Sequence, residues 1–561
     1  MAQLLTNIFQ NTNNRLRLLQ VFGLFWLITF LLYLPAAKSG MVGDFPYYVN
    51  LIKQQTLWEY INPKNSLVLY QTMELTMYVL YKLFGLHPWP WHLFYVSLHA
   101  VNGLLLFSFF SNLLKDSGVK NGAILSFISV CLFIICPHAS EAVVWKPANH
   151  FLLVPVLMFL ILVLVQQYLK NQKPVYAVIS WLLFFYSSFS LEFFYLMPWL
   201  VLMLLVYYRI AAGTDKIIFR KSLLWFFVPL VLLFVVHLCL LRLQSNTFVS
   251  HYGHFDKLPV LYYLNKPLKY VFHIIFFGRF FHHETRMHIY EICESLTAVI
   301  IFYGVCILLW AFVLLRLKEA APQLKALAIC AAFSLLCYLF LSALIFSDQL
   351  LVSLDRYTYL ANGFAYLTLV LLINFIPYRS IFYLITFSYG LVNIYATLKI
   401  NKYWKQSANI ISNLITNIPD PGNKTILLLN LPDDLRGVPM IAAQPEGRFK
   451  IMQNELTPHP LRNNMYDVSA YNMDAATDGA HVMVINDSML HVTLNQWGTW
   501  WLYGFLGATS YTNEDYKLNM IDEGHWYELT LKHPVNQYLL LYQVGDKWKT
   551  VDWDKKNVDQ Y

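Results

Sequence analysis

Charge is what this sequence has least of. Of its 561 residues only 13% are Asp, Glu, Lys or Arg, against roughly 25% in an average soluble domain. Hydrophobic residues make up 58%, which excludes a water-soluble globule of this length. Cysteine is scarce too. The seven cysteines (Cys131, Cys136, Cys239, Cys293, Cys306, Cys330 and Cys337) lie in or beside apolar stretches, and none follows Cys337. That excludes a disulfide framework and a C-x-x-C metal knuckle. There is no basic stripe: the net charge of +8 is spread over short loops between apolar blocks, so nucleic acid is not an expected partner. No repeat of about 30–50 residues is present either.

What remains is apolar length. Up to about Leu398 the hydrophobic residues come in blocks of around 20, enough to cross about 30 Å of hydrocarbon as helix. The predicted spans are 18–36, 91–114, 122–137, 149–168, 174–189, 191–208, 222–242, 296–315, 325–346, 358–376 and 380–398. Arg15 and Arg17 precede the first block as in a signal peptide, but no small-residue cleavage site follows, so it reads as a span. The expected fold is therefore a polytopic α-helical membrane protein of about eleven spans. Residues 1–398 form the membrane domain and 405–561 a soluble, α/β or mainly β domain. KTILLLNLP, HVMVIND, HVTLN and YLLLYQVGDKWKTVDW read as its strands, with a hairpin turn at Gly545-Asp546.

Alternate loops hold the cations: Arg15 and Arg17; Lys115 and Lys120; Lys170 and Lys173; Arg209, Lys216, Arg220 and Lys221; Arg316, Lys318 and Lys325; Arg379. Such a bias marks the cytoplasmic side. The odd span count then puts the opposite loops, 37–90, 138–148, the Ser190 corner, 243–295 and 347–357, outside together with the tail. Within 37–90, the stretch Ser66–Leu86 is apolar yet carries Glu74 and Lys82, which favours a helix lying in the interface over a span. The basic, aromatic segment 266–281 (KPLKYVFHIIFFGRFF) reads as interfacial or re-entrant; as a true span it would put the tail in the cytoplasm.

Ionisable groups at span ends are the candidate chemistry. Asp44 lies in GDFPYYVN, Glu141 in CPHASEAVVWKPANH, Glu192 beside Ser190, and Asp355 and Arg356 in LDRYTYLANGF. Carboxylates and a guanidinium aimed at one face suit an acceptor that loses a proton and a phosphate that is held. Each also has an ordinary structural use. Loop acids are commonly solvated, Glu141 and Glu192 stand where acids favour a helix start, and Arg356 is placed to reach lipid headgroups. His138, His150, His282 and His283 lack H-x-x-x-H or H-x-H spacing, so no metal is expected. Spacing alone leaves function open.

Four segments carry a family resemblance. NSLVLYQTMELTMYVLYKLFGLHPWPWHLFYVSLHAVNGLLLF, PHASEAVVWKPANHFLL, SFSLEFFYLMPWLVL and DRYTYLANGFAYL resemble, in order, segments of the tetratricopeptide-containing transmembrane O-mannosyltransferases and their bacterial relatives. The last three correspond to "HPIHTEAVAWISGRNDLL", "LSKEQGITLPLVLL" and "ERYLYLPSIGFALL". The resemblance covers most of 40–370 and implies a GT-C glycosyltransferase, which uses a polyprenyl-phosphate-linked sugar on the exoplasmic face. It implies Asp44 as catalytic base or acceptor-positioning acid, His138, Glu141 and Glu192 as shapers of the site, and Arg356 as donor-phosphate ligand. Lys146 and Arg279 are further candidates for the phosphate. The chain departs from the family at Phe45, where a second acid is common, and at Leu191, Ala148-Asn149 and Leu67–Tyr70, where basic residues are lost. The repeats are absent.

The resulting expectation is transfer of a sugar from a membrane lipid-linked donor to an acceptor, most simply an exported protein, without a divalent metal. The expected location is a bacterial inner membrane with the tail in the periplasm. The endoplasmic reticulum is the alternative, given glycosylation acceptors at Asn423 and Asn486. A GT-C enzyme acting on a lipid or envelope glycan shares every feature. A transporter or a non-catalytic scaffold would not need Asp44.

Overall fold

The structure is a computed structural model. It describes residues 14–62, 68–211, 213–246, 248, 260–281, 283–315, 321–344, 355–441, 447–495, 498–502, 505–506 and 508–561. Each of the eleven predicted spans falls on a helix, from Asn14–Tyr33 through to Arg379–Thr416. Among the described residues seven helices are long and apolar enough to cross a membrane, and nine if two bent pairs count as spans. The pairs are Gly122–Ile134 with Pro137–Val144, bent by 57°, and Glu284–Glu294 with Leu296–Ala311, bent by 67°. The first bend falls at Pro137, which has no N–H to continue a helical ladder. Two more expected spans form short helices, Val175–Ser187 of 13 residues and Tyr359–Ile373 of 15. The protein is thus a polytopic helical membrane protein joined to a β-rich domain.

The two ambiguous segments both form short helices among the described residues. Ser66–Leu86 gives the 14-residue helix Gln71–Phe84, about 21 Å long at 1.5 Å per residue. It buries Met73, Met77 and Leu80 and exposes Leu75, Val79 and Leu83. Segment 266–281 begins inside the helix Val260–Ile275, which buries Lys266, Lys269, Tyr270 and His273. A short turn, Gly278–Phe280, follows it.

The final helix, Arg379–Thr416, is 38 residues long and runs unbroken from the membrane region into the tail, where Trp404, Ile410, Ile411 and Leu414 are buried. Among the described residues the tail holds three sheets. In the first, Thr425–Leu428 lies between Tyr538–Val544 and Met465–Asp467, parallel to both. Tyr538–Val544 also pairs antiparallel with Lys547–Thr550, so the Gly545-Asp546 hairpin forms. The second sheet is antiparallel and six-stranded, and the third has five strands centred on Ser469–Met473. The helix Arg448–Leu456 lies on the tail's face toward the helix Asp44–Gln54.

Candidate active site

The site is assembled by backbone straps between loops. Lys146 N–H donates to the Gly40 carbonyl at 3.0 Å, and Trp145 Nε1 donates to the Val42 carbonyl at 3.0 Å. Gly40 has φ +88°, and a Cβ there would lie 1.9 Å from the Val144 carbonyl oxygen, so only glycine permits this approach. One residue before Asp44, Gly43 N–H donates to the Met440 carbonyl of the tail at 2.8 Å.

Asp44 is the first residue of the helix Asp44–Gln54, where a carboxylate is favoured by the helix dipole. Its Oδ1 accepts from Nη1 of Arg448, the first residue of the tail helix. The Arg448 guanidinium also lies 5.1 Å from the Tyr47 ring centroid. Asp44 keeps 28% of its side chain exposed, and Arg448 only 8%. Toward the far ends of the two helices Lys53 meets Glu455 at 2.5 Å. Behind Arg448, buried Asp467 accepts from Phe449 N–H at 3.3 Å, and burial pushes its carboxyl up to about 7.

The turn 137–144 faces the turn Asp355–Thr358, and two ionic groups form between them. Arg356 donates from Nη1 to Glu141 Oε1 and from its backbone N to Oε2, the latter at 2.9 Å. Its guanidinium is lined by Trp145 at 4.8 Å, Tyr357 at 5.0 Å and Phe151 at 5.4 Å. Beside it, Asp355 Oδ1 meets His138 Nδ1 at 3.1 Å and His273 Nε2 at 2.7 Å, while Oδ2 accepts from Arg279 Nη1 at 2.5 Å. Arg279 Nη2 then donates to the Arg436 carbonyl of the tail at 2.8 Å.

Lys146 differs from these cations. It is fully buried, its Nζ sits 5.0 Å from the Tyr95 ring centroid, and that nitrogen has no hydrogen-bond partner among the described residues. Burying an ammonium without an acceptor is costly and favours the neutral amine, a penalty that an anionic oxygen placed there would offset. Glu192 accepts from Tyr70 O–H at 2.7 and 2.8 Å. It adjoins the same aromatic cluster, since the Phe193 and Tyr357 rings lie 6.5 Å apart.

The structure thus pairs Glu141 with Arg356 directly and His138 with Arg279 through Asp355. Asp44 and Lys146 are joined through the strapped backbones, and Glu192 comes in at the aromatic edge. Arg356 and Arg279, expected to meet phosphate, are each engaged by a carboxylate; Lys146 is the expected phosphate ligand whose charged atom lacks a protein partner. The His150 ring lies tilted against Phe151, centroids 4.3 Å apart, and His282 lies outside the described residues. Sequence reasoning left His273, Arg448 and Tyr70 out of the site, and named the Asp355 carboxylate without giving it a role of its own. His273 had a signal, being in the basic segment six residues before Arg279; Arg448 had none. Metal-ligating atoms converge at one place among the described residues, His138, His273 and Asp355.

No family model matches the chain, and no curated protein does. Among solved structures, the chain is similar to the crystal structure of ArnT from Cupriavidus metallidurans in the apo state, with TM-score 0.34 and 13% identity, over 79% of this chain and 85% of that one. The same protein bound to undecaprenyl phosphate gives TM-score 0.36 and 14% identity, over 79% and 89%. Scores this low carry no argument about activity.

Proposed function

We propose that this chain is a membrane glycosyltransferase of the GT-C kind. It moves a sugar from a polyprenyl-phosphate-linked donor to an acceptor on the exoplasmic face, which in a bacterial inner membrane is the periplasm. The observation that carries this reading is that two hydrogen-bonded straps tie the loop of Asp44, a partly exposed acid, to Lys146, whose buried Nζ has no hydrogen-bond partner among the described residues. An acid open to an acceptor, on a loop strapped to a buried basic nitrogen that can meet an anion, suits displacement at a sugar phosphate.

In this reading the acceptor hydroxyl gives its proton to the Asp44 carboxylate as its oxygen bonds to the anomeric carbon. The bond from that carbon to the phosphate oxygen breaks, the electron pair leaves with the phosphate, and the anomeric centre inverts. Lys146 takes the charge that develops on the leaving oxygen. Arg356 and Arg279, each already balanced by a carboxylate, hold the 137–144 and 355–358 turns around the phosphate. Arg448 fixes the direction of Asp44, while His138, Glu141 and Glu192 shape the walls. An exported protein is the proposed acceptor, and an envelope lipid or glycan would use the same groups. The test is Asp44→Asn. It should insert and express as wild type yet lose transfer; near-wild-type glycosylation by that variant would refute the reading.

A further inference from the structure

We propose that His138, His273 and Asp355 form a site for one divalent transition-metal ion, zinc being the ion that two imidazoles and a carboxylate suit best. The three residues come from three separate elements, the Pro137–Ala139 turn, the helix Val260–Ile275 and the Asp355–Thr358 turn. They lie 217 and 82 residues apart in the chain, yet one donor atom from each falls within 4.8 Å of the others. All three side chains are fully buried. Zinc bound tetrahedrally at 2.0–2.1 Å holds its ligand atoms roughly 3.3 Å apart. His138 Nδ1 and His273 Nε2 already stand 3.1 and 2.7 Å from Asp355 Oδ1, and all three donor atoms lie within 4.8 Å of one another, so an ion would be reached by turning the two rings from Oδ1 toward a shared point.

Charge balance distinguishes this site from an ordinary buried carboxylate. Asp355 is already neutralised through Oδ2 by Arg279 at 2.5 Å, so two imidazoles turned toward Oδ1 exceed what the carboxylate alone requires. A ligating carboxylate held on its second oxygen by a fixed donor is the usual outer support of a metal site. Here that donor is itself anchored to the Arg436 carbonyl. The ligands are too far apart in sequence for any short motif to show them. An ion here would staple the three elements together directly beside the Glu141–Arg356 pair, and it does so whatever reaction the protein performs.

Full-length protein, purified in detergent with its affinity tag removed, should carry about one zinc per chain by mass spectrometry of the metal, as a preformed site of this kind does. His273→Ala and Asp355→Asn should each lower that content at least tenfold. Because either variant could misfold, the wild-type protein is also stripped with chelator and reloaded with cobalt(II). It should then show the intense visible bands of a tetrahedral nitrogen–oxygen site. Zinc and cobalt content near zero in the wild type, or metal content unchanged in both variants, would overturn the proposal.

Discussion

At the scale of single residues, Asp44 and Arg448 are the pair on which the proposed activity turns. Removing a positioned general base typically costs about 10²–10⁴ in rate, so Asp44→Asn should lower turnover by that order with insertion intact. Arg448→Met should reduce turnover by roughly 10–100-fold, as expected when a catalytic group loses its orientation, and Arg448→Lys should restore part of it. Turnover assays on the three variants at equal expression check this, and an Arg448→Met enzyme with unaltered turnover would detach the tail helix from catalysis. Glu141 belongs to a different class. Glu141→Gln leaves the Arg356 cation buried without its carboxylate, a loss of about 3–5 kcal/mol for a broken buried pair. A double variant removing both charges should recover most of it, as read by thermal unfolding.

Two tail carboxyls give stability a pH dependence. Burial pushes Asp434 and Asp467 each up to about 7 from an ordinary value near 4. Between those values the folded protein keeps a proton that the unfolded chain has lost, so stability falls as pH rises from about 4 to about 7 and levels off above. Asp467→Asn should raise the melting temperature at pH 8 relative to wild type and leave it little changed at pH 4. A variant that melts lower than wild type at pH 8 would show that the ionised carboxylate stabilises the fold.

At the scale of elements, the straps set the precision of the site. Gly40→Ala puts a Cβ against the Val144 carbonyl at a left-handed φ, adding about 1–3 kcal/mol of backbone strain to the clash. Transfer should fall together with thermal stability, whereas Gly85→Ala, also at positive φ but with open space around it, should show the strain alone. The helices were legible because a span needs length and apolarity, and both are local properties. Their breaks were less so: the 122–137 segment ends in a bent pair because Pro137 interrupts its ladder and the turn beyond it must deliver His138 and Glu141. The tail strands were legible as aliphatic runs. Their order was not, because Thr425–Leu428 pairs with Tyr538–Val544 across more than a hundred residues, which no local periodicity encodes. The site divides in the same way. Asp44, Glu141 and Arg356 stand at span ends and carried the family resemblance, while Lys146 was legible only as a basic residue near a place where the resemblance loses one. Arg448 reaches Asp44 across 404 residues, a contact only the folded chain reveals.

At the scale of the whole molecule, the tail closes over the 37–90 loop through Asp44–Arg448, Lys53–Glu455 and the Gly43–Met440 backbone bond. Asp44 therefore belongs on the same side of the membrane as the tail. The central claim is transfer on that side from a lipid-linked sugar. It is tested most directly by mass spectrometry of lipid-linked sugars, exported proteins and envelope glycolipids, comparing cells that carry the wild-type chain with cells that carry only Asp44→Asn. The expected result is loss of one sugar from one acceptor class and accumulation of its polyprenyl-linked donor. Unchanged glycoforms, glycolipids and donor pools would contradict it.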